Sequence, residues 1–123
     1  MNIEEMISAY IDCALWCGVC GLDPDANDNE YDHDASELAP ETLATMRSDC
    51  EDFASDPDTL ALIEKSGMTA DQCGHDFWLT RNGHGAGFWD RGYSDGIGEA
   101  LTARAETYKT CDLILGDDGL IYC

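Results

Sequence analysis

The chain is poor in basic residues: six lysines and arginines stand against 26 aspartates and glutamates, which gives a formal net charge of −20. None of the six lies in the first 46 residues, since the first basic residue is Arg47. A field of this sign repels nucleic acid and anionic lipid, so direct binding to DNA, RNA or a membrane surface is not expected. It favours a partner with a basic surface instead.

Long apolar runs are also missing, and no stretch approaches the roughly 18 residues that a membrane span requires. The opening residues "MNIEEM" carry acids where a secretory signal needs a basic segment, which predicts a cytoplasmic protein. The seven cysteines are an odd number and fall below the density of a disulfide scaffold. In a reducing compartment we expect most of them to be free thiols.

Recognisable enzyme motifs are absent as well. The sequence contains no nucleophile elbow, phosphate-binding loop or dinucleotide fingerprint, so it predicts no enzyme and no cofactor. His75 and Asp76 could do acid–base chemistry together, but the strand predicted around them would point neighbouring side chains to opposite faces. We therefore predict no catalytic residues.

The 123 residues, of which 44% are hydrophobic, suffice for one folded domain. Apolar spacings of three and four predict a first helix from about residue 3 to 20 and a second in "APETLATMRSDCEDF". Asp56 before Pro57 is typical of an N-cap and a first helical residue, which predicts a short third helix. Residues 69 to 72 have capping-box spacing and predict one more helical turn.

The last third of the chain reads differently. Aromatic stretches flank a glycine-rich centre in "DFWLTRNGHGAGFWDRGY" and predict a hairpin with strands near residues 77–81 and 86–90. A helix is expected from about Asp95 to Lys109, followed by a second hairpin that turns at Asp118-Gly119. The predicted fold is α+β, with N-terminal helices followed by a ββαββ region that forms an antiparallel sheet of up to four strands.

The acidic stretch from Gly21 to Glu37 suggests a calcium site. Oxygen-bearing side chains fall on five ligand positions of an EF-hand loop: Asp23, Asp25, Asn27, Asn29 and Asp34. However, Asp28 stands where the loop needs glycine, and Asp34 is shorter than the glutamate expected at the last position. A calcium site is therefore an alternative, and an acidic connector is the simpler interpretation.

Zinc is the other metal to consider. Cys13, Cys17 and Cys20 form one helical stripe, and the last two have the spacing of a zinc knuckle. No second pair of this kind appears, so only the fold could add ligands such as Cys73, His75 or His84. Core thiols are the simpler interpretation.

The acids themselves lead to the main hypothesis. Carboxylates three or four residues apart on a helix lie about 5–6 Å apart, similar to neighbouring phosphates of a nucleic acid, and can occupy a groove lined with lysine and arginine. The predicted partner-binding residues are Asp23, Asp25, Asp28, Glu30, Asp32, Asp34, Glu37, Asp49, Glu51, Asp52, Asp56 and Asp58. Trp78, Trp89 and Arg91 are predicted interface anchors. Solubility or adaptation to high salt would also explain an acidic surface.

The segments "HDFWLTRNGHG" and "AGFWDRGY", with "APETLATMRSDCEDF" and "LILGDDGLIY", resemble a family of small acidic phage and prophage proteins over roughly residues 38 to 123. The family has no established enzymatic activity, so the resemblance carries over no catalytic residues. Together with the charge, it implies a phage protein that inhibits a host nucleic-acid-binding machine, of the CRISPR or restriction type, through a DNA-mimicking surface. The alternatives are a calcium- or zinc-binding accessory protein and a structural phage protein, neither of which would be inhibitory.

Overall fold

The structure is a computed structural model that describes residues 1–22, 29 and 31–123. Its helices are α1 (Ile3–Trp16), α2 (Pro40–Ser55), α3 (Pro57–Ser66), α4 (Ala70–Arg81) and α5 (Ile97–Glu106). Short 3₁₀ turns span Ala35–Glu37 and Phe88–Asp90, and the two strands are β1 (Ile114–Leu115) and β2 (Ile121–Tyr122). Among the described residues no helix has the length and apolar character needed to cross a membrane.

Helix α1 begins where Asn2 caps it, with the side-chain oxygen accepting a hydrogen bond from the Glu5 backbone nitrogen at 3.2 Å. It ends at Trp16, four residues before the predicted end. The reason is that Gly18 has a positive φ of 103° and turns the chain away. Cys20 then forms a β-bridge to Ile114 instead of continuing the helix.

Helices α2 and α3 confirm the sequence prediction. Pro40 occupies the first turn of α2. The Asp56 carboxylate accepts hydrogen bonds at 3.0 Å from the backbone nitrogens of Asp58 and Thr59, which makes it the N-cap of α3. Gly67 ends α3 in the left-handed conformation. Local capping chemistry therefore sets both boundaries.

The predicted hairpin at residues 77–81 and 86–90 is wrong, because residues 77–81 belong to α4. Thr69 caps this helix by accepting a hydrogen bond from the Gln72 nitrogen at 3.1 Å. The sequence predicted a single helical turn after this cap, and the structure extends it to a helix of 12 residues. Every residue from Asp76 to Arg81 is buried. A helical segment that is covered on all sides, as residues 76–81 are, shows no amphipathic period, and its apolar run is easily mistaken for a strand.

The segment after α4 folds back onto that helix as an irregular loop. The Phe88 nitrogen donates to Thr80 Oγ1 at 3.1 Å, inside the protein. Arg91 binds the fully buried Asp76 through two hydrogen bonds, Nη2 to Oδ1 at 2.6 Å and Nε to Oδ2 at 3.0 Å. The middle of the loop is thereby fixed to α4 at two points, Thr80 and Asp76, instead of pairing as a strand.

The second predicted hairpin is confirmed, and α5 lies within its predicted range. Strands β1 and β2 pair in antiparallel fashion, with Ile114 opposite Tyr122 and Leu115 opposite Ile121. Single parallel bridges extend this pair on both sides, from Cys20 to Ile114 and from Leu38 to Ile121. The four-stranded sheet is therefore wrong: the described chain is mostly helical and carries one two-stranded sheet.

The core is built around the close contact of α1 with α4. Gly74 makes this contact possible, because a β-carbon there would overlap the Met6 carbonyl oxygen and lie 2.9 Å from the Tyr10 nitrogen. Phe53 and Phe77 stack beside it with their ring centroids 4.2 Å apart. The two helices thus pack backbone to backbone, and aromatic rings fill the space next to them.

We predict that Gly74→Ala lowers the free energy of unfolding by about 2 kcal/mol, because the new methyl group forces α1 away from α4. The loss outweighs the roughly 1 kcal/mol that alanine contributes as a better helix former. Urea denaturation measures the change. Gly85→Ala is the matched control, since a β-carbon there meets nothing within 4 Å. Equal stability of the two variants would contradict the tight helix contact.

We also predict that Asp76→Asn lowers the free energy of unfolding by about 2 kcal/mol, because it leaves the Arg91 guanidinium with a weaker partner at a buried position. The expected loss of stability is smaller than for a fully buried ion pair, because the Arg91 side chain is partly exposed to water. Asp90→Asn removes the same charge from an exposed position and should be neutral. A destabilisation by Asp90→Asn as large as that by Asp76→Asn would refute the assignment.

Candidate functional site

The distribution of charge is the most unusual property of the surface. Of the 22 acidic residues in the described part of the chain, all are exposed except Glu37, Asp49 and Asp76. Five of the six basic residues, by contrast, lie within 4.0 Å of a carboxylate of the same chain: Arg47, Lys65, Arg81, Arg91 and Arg104. The positive charge is mostly neutralised internally, and the surplus negative charge faces solvent.

Two of the predicted acids, Asp52 and Asp56, lie where α2, α3 and α5 come together. Asp52, Asp56, Arg104 and Tyr108 are among the residues that line a polar cleft of about 280 Å³. The Tyr108 hydroxyl donates a short hydrogen bond to Asp52. The pKa of Tyr108 is raised by desolvation and by this bond to a carboxylate. The same acidic side chains therefore connect the helices and give the cleft its negative charge.

Asp56 and Asp58 share the Arg104 guanidinium, at 3.3 Å and 3.8 Å. The pKa of Asp56 lies below its usual value, chiefly because its carboxylate accepts the Thr59 backbone N–H, with Arg104 adding to the effect. Asp58 is more exposed than Asp56, with 85% of its side chain accessible against 48%. Asp56 thus has a structural task, whereas Asp58 is available to a partner.

Asp49 lies in the same region but is committed to the core. Its carboxylate accepts a hydrogen bond from Arg81 Nη1 at 2.7 Å. Burial alone would lower the pKa of Arg81, yet its contacts with Tyr10 and Asp49 outweigh that and raise the pKa. Asp49 is therefore largely neutralised by Arg81 and only partly accessible to a partner.

Glu51 points to a different face, beside Arg47 and Glu4. Arg47 grips Glu4 with two hydrogen bonds, at 2.6 Å and 3.1 Å, and lies 3.8 Å from Glu51. The hydrogen bond from Arg47 lowers the pKa of Glu4. The acids predicted on the second helix therefore divide between two faces instead of forming one row.

The acidic stretch lies only in part within the described residues. Asp23, Asp25, Asp28 and Glu30 lie outside them, and so does most of the predicted calcium loop. Asp32 is exposed. Asp34 caps the 3₁₀ turn at Ala35–Glu37 by accepting the Ser36 N–H at 2.9 Å, and Glu37 lies 2.6 Å from His33. A carboxylate at position 34 is therefore occupied by capping the turn.

The three predicted anchors have different fates. Trp78 is buried, with its ring edge-on to Tyr10 at 5.5 Å between centroids, and offers no surface to a partner. Arg91 is committed to Asp76. Trp89 is 50% exposed and remains available. Burial removes Trp78 from the set for the same reason that the hairpin prediction failed, since every residue of α4 from Asp76 to Arg81 is buried.

The cysteine stripe does not form a metal site in the structure. Cys13 is buried, Cys17 is half-buried, and Cys20 is exposed at the bridge to β1. Within residues 1–22, 29 and 31–123, no group of three or more His, Cys, Asp or Glu side chains is placed to hold a metal ion. Five cysteines are free, and Cys111 and Cys123 form a disulfide that the sequence did not predict.

His75 and Asp76 are closer than the sequence suggested. Both belong to α4, and His75 Nδ1 lies 3.7 Å from Asp76 Oδ1. The Asp76 carboxylate already accepts two hydrogen bonds from Arg91. The strand-based argument for separating His75 from Asp76 is therefore wrong. The Asp76 carboxylate is nevertheless held in a structural ion pair with Arg91.

No family model, curated protein or solved structure matches this chain.

Sequence reasoning missed one surface residue. Trp16, in the last turn of α1, is 78% exposed, more than any other large hydrophobic residue in the described part of the chain. The signal was present, because position 16 lies opposite the apolar stripe of α1 and four residues after Asp12, on the same face. An aromatic residue on the polar face of a helix indicates a surface role.

We predict that Cys20 reacts first with iodoacetamide in the native protein at pH 8, because it is exposed. Cys13, Cys50 and Cys73 should stay unlabelled until guanidinium is added. Desolvation raises the pKa of all three, that of Cys73 to about 12, so each thiol stays protonated and unreactive at pH 8. Peptide mass mapping before and after unfolding measures the labelling. Rapid native labelling of Cys50 or Cys73 would contradict the core.

Proposed function

We propose that this chain is a phage-encoded acidic binding protein that inhibits a host nucleic-acid-binding machine, of the CRISPR or restriction type, by presenting a DNA-mimicking surface. One observation carries the proposal: nearly all described acids face solvent, whereas the chain neutralises five of its own six bases. Such a surface is attracted to the lysine and arginine residues that line a nucleic-acid groove.

The size of the charge supports a role beyond solubility. A small domain stays soluble with a net charge of roughly 2–8, whereas this chain carries −20. The excess destabilises the folded state by self-repulsion. A basic partner would relieve that repulsion, so the binding energy includes the release of strain between carboxylates as well as direct attraction.

The corner of α2 and α3 supplies the geometry. Asp49, Asp52 and Asp56 recur at intervals of three and four residues, which places them on one side of α2 and its C-cap. Asp58 extends this row into the first turn of α3. The spacing resembles that of phosphates along a strand. The row combines fixed acids, which hold the fold, with the freely accessible Asp58.

The proposed partner is a protein or complex with a basic groove, met in the cytoplasm of the bacterial host. Nucleic acid itself and membranes are not partners, because both carry the same sign of charge as this surface. The phage origin comes from the resemblance of residues 38 to 123, and the inhibitory role from the charge.

We predict that the immobilised chain retains nucleic-acid-binding proteins from a host lysate at about 0.05 M salt and releases them at about 0.5 M, because screening weakens contacts between exposed charges. Added duplex DNA should release the same proteins by competition. Quantitative mass spectrometry measures retention. Partners that ignore both salt and DNA would overturn the proposal.

A pair of double variants locates the surface. Asp52→Asn with Asp58→Asn removes two charges from exposed positions at the α2–α3 corner, and should weaken retention about three- to tenfold. Asp112→Asn with Asp117→Asn removes the same charge from exposed positions near the C-terminal hairpin and should change retention by less than about twofold. Equal losses would show that only the total charge matters, not the placement of the acids.

A further inference from the structure

A groove of about 330 Å³ runs between α1 and α4, on a part of the surface that the sequence did not single out. Six residues line it: Ala9, Asp12, Cys13, Trp16, Asp71 and His75. Ala9 and Cys13 are buried and form an apolar floor. The walls carry charge and an aromatic ring, so the groove can accept an apolar group at its base and polar groups at its rim.

Trp16 supplies most of the exposed apolar surface of the groove. Its side chain is 78% exposed, while Trp78 is buried and Trp89 is 50% exposed. Burying a tryptophan removes a large apolar area from water, and tryptophan is among the side chains that most often dominate binding energy at protein interfaces. An isolated chain leaves this area in water, which a partner could cover with a net gain in free energy.

The acids at the rim define what the partner must carry. Asp12 comes from α1 and Asp71 from the first turn of α4, and both are exposed. Neither is ion-paired with a basic side chain in the described part of the chain, in contrast to Glu4, Asp49 and Asp76. Two unpaired carboxylates beside an exposed tryptophan are complementary to an apolar side chain with basic neighbours.

We propose that this groove docks a segment of the partner protein in which an apolar side chain covers Trp16 while flanking lysine or arginine side chains meet Asp12 and Asp71. This inference rests on the proposed function for the basic character of the partner. It adds a defined docking site, distant in sequence from the α2–α3 corner, with an aromatic anchor that charge mimicry alone does not require.

Two other occupants fit the groove less well. A second copy of the chain would bring another net charge of −20 against the same acidic rim, so like charges would oppose association. Nucleic acid would bring phosphates to Asp12 and Asp71 and is repelled for the same reason. Charge complementarity therefore selects a basic polypeptide.

The groove is also preformed. Its two walls are the helices whose backbones touch at Gly74, and that contact leaves no room for α4 to shift towards α1. A partner therefore meets a fixed shape and loses less free energy to ordering the site than it would on a flexible loop.

The test uses short synthetic peptides of defined composition and the tryptophan indole signals in nitrogen-15 NMR spectra. One peptide carries a leucine between lysines and arginines, the second replaces that leucine with glycine, and the third keeps the leucine between glycine and serine. The first should shift the Trp16 indole signal at low salt and leave that of buried Trp78 unchanged. The second and third should bind at least about tenfold more weakly.

Matched variants isolate the anchor and the rim. Trp16→Ser should weaken binding of the first peptide about tenfold or more, whereas Leu43→Ser, at an exposed hydrophobic position of α2, should change it less than about twofold. Asp12→Asn with Asp71→Asn should weaken it about fivefold, and the control Asp112→Asn with Asp117→Asn less than about twofold. All four positions changed in these double variants are exposed, so backbone NMR signals should confirm an intact fold.

The outcomes separate this inference from the proposed function. Equal effects of Trp16→Ser and Leu43→Ser would overturn the docking site, as would a Trp16 signal that shifts with protein concentration alone, which indicates self-association. Basic peptides that shift only signals of the α2–α3 corner would overturn the docking site and leave the proposed function standing. If no basic peptide shifts any backbone signal, both fail.

Discussion

The Arg81 guanidinium lies buried among the helices, with only 5% of its side chain exposed and with hydrogen bonds from all three of its nitrogens. Nη1 donates to the Tyr10 hydroxyl of α1 and to Asp49 of α2, while Nε and Nη2 donate to the Lys109 and Tyr108 carbonyl oxygens after α5. A buried charge that loses one partner is strongly destabilising. Helices α1, α2 and α4 and the chain after α5 must therefore be in place together.

This constraint explains how a chain with so much negative charge folds. The few basic residues lie where several carboxylates would otherwise repel one another, as Arg104 does between Asp56 and Asp58. Each exposed pair contributes little by itself. Their combined effect is to neutralise acids that the helix packing brings together, while acids with no packing role keep their charge. Structural carboxylates are thus the ones that hydrogen-bond to packed elements, as Asp49, Asp56 and Asp76 do, and most of the other described carboxylates are exposed to solvent.

The sequence predicted the elements whose ends are set by local chemistry. Pro40, the Asp56 cap and Gly67 fixed α2 and α3, and the Asp118-Gly119 turn fixed the last hairpin. The failure at α4 has a physical cause: its residues are buried on nearly every side, so only the Thr69 cap distinguished it from a strand. The surface was only partly predictable. Spacing identified the acids at the α2–α3 corner, but the exposure of Trp16 and the burial of Trp78 depend on how α1 and α4 cross.

The C-terminal hairpin has a consequence for the order of folding during synthesis. Its strands carry bridges to Cys20 and Leu38, the residues on either side of the acidic stretch, and Thr42 also donates to the Ile121 carbonyl oxygen. These partners are about 80 to 95 positions apart, so the contacts close very long loops. On the ribosome, Cys20, Leu38 and Thr42 stay without these partners until Ile114 and Ile121 have emerged. The early residues Cys20, Leu38 and Thr42 thus obtain their β-bridges and hydrogen bond only when the C-terminal hairpin has been synthesised.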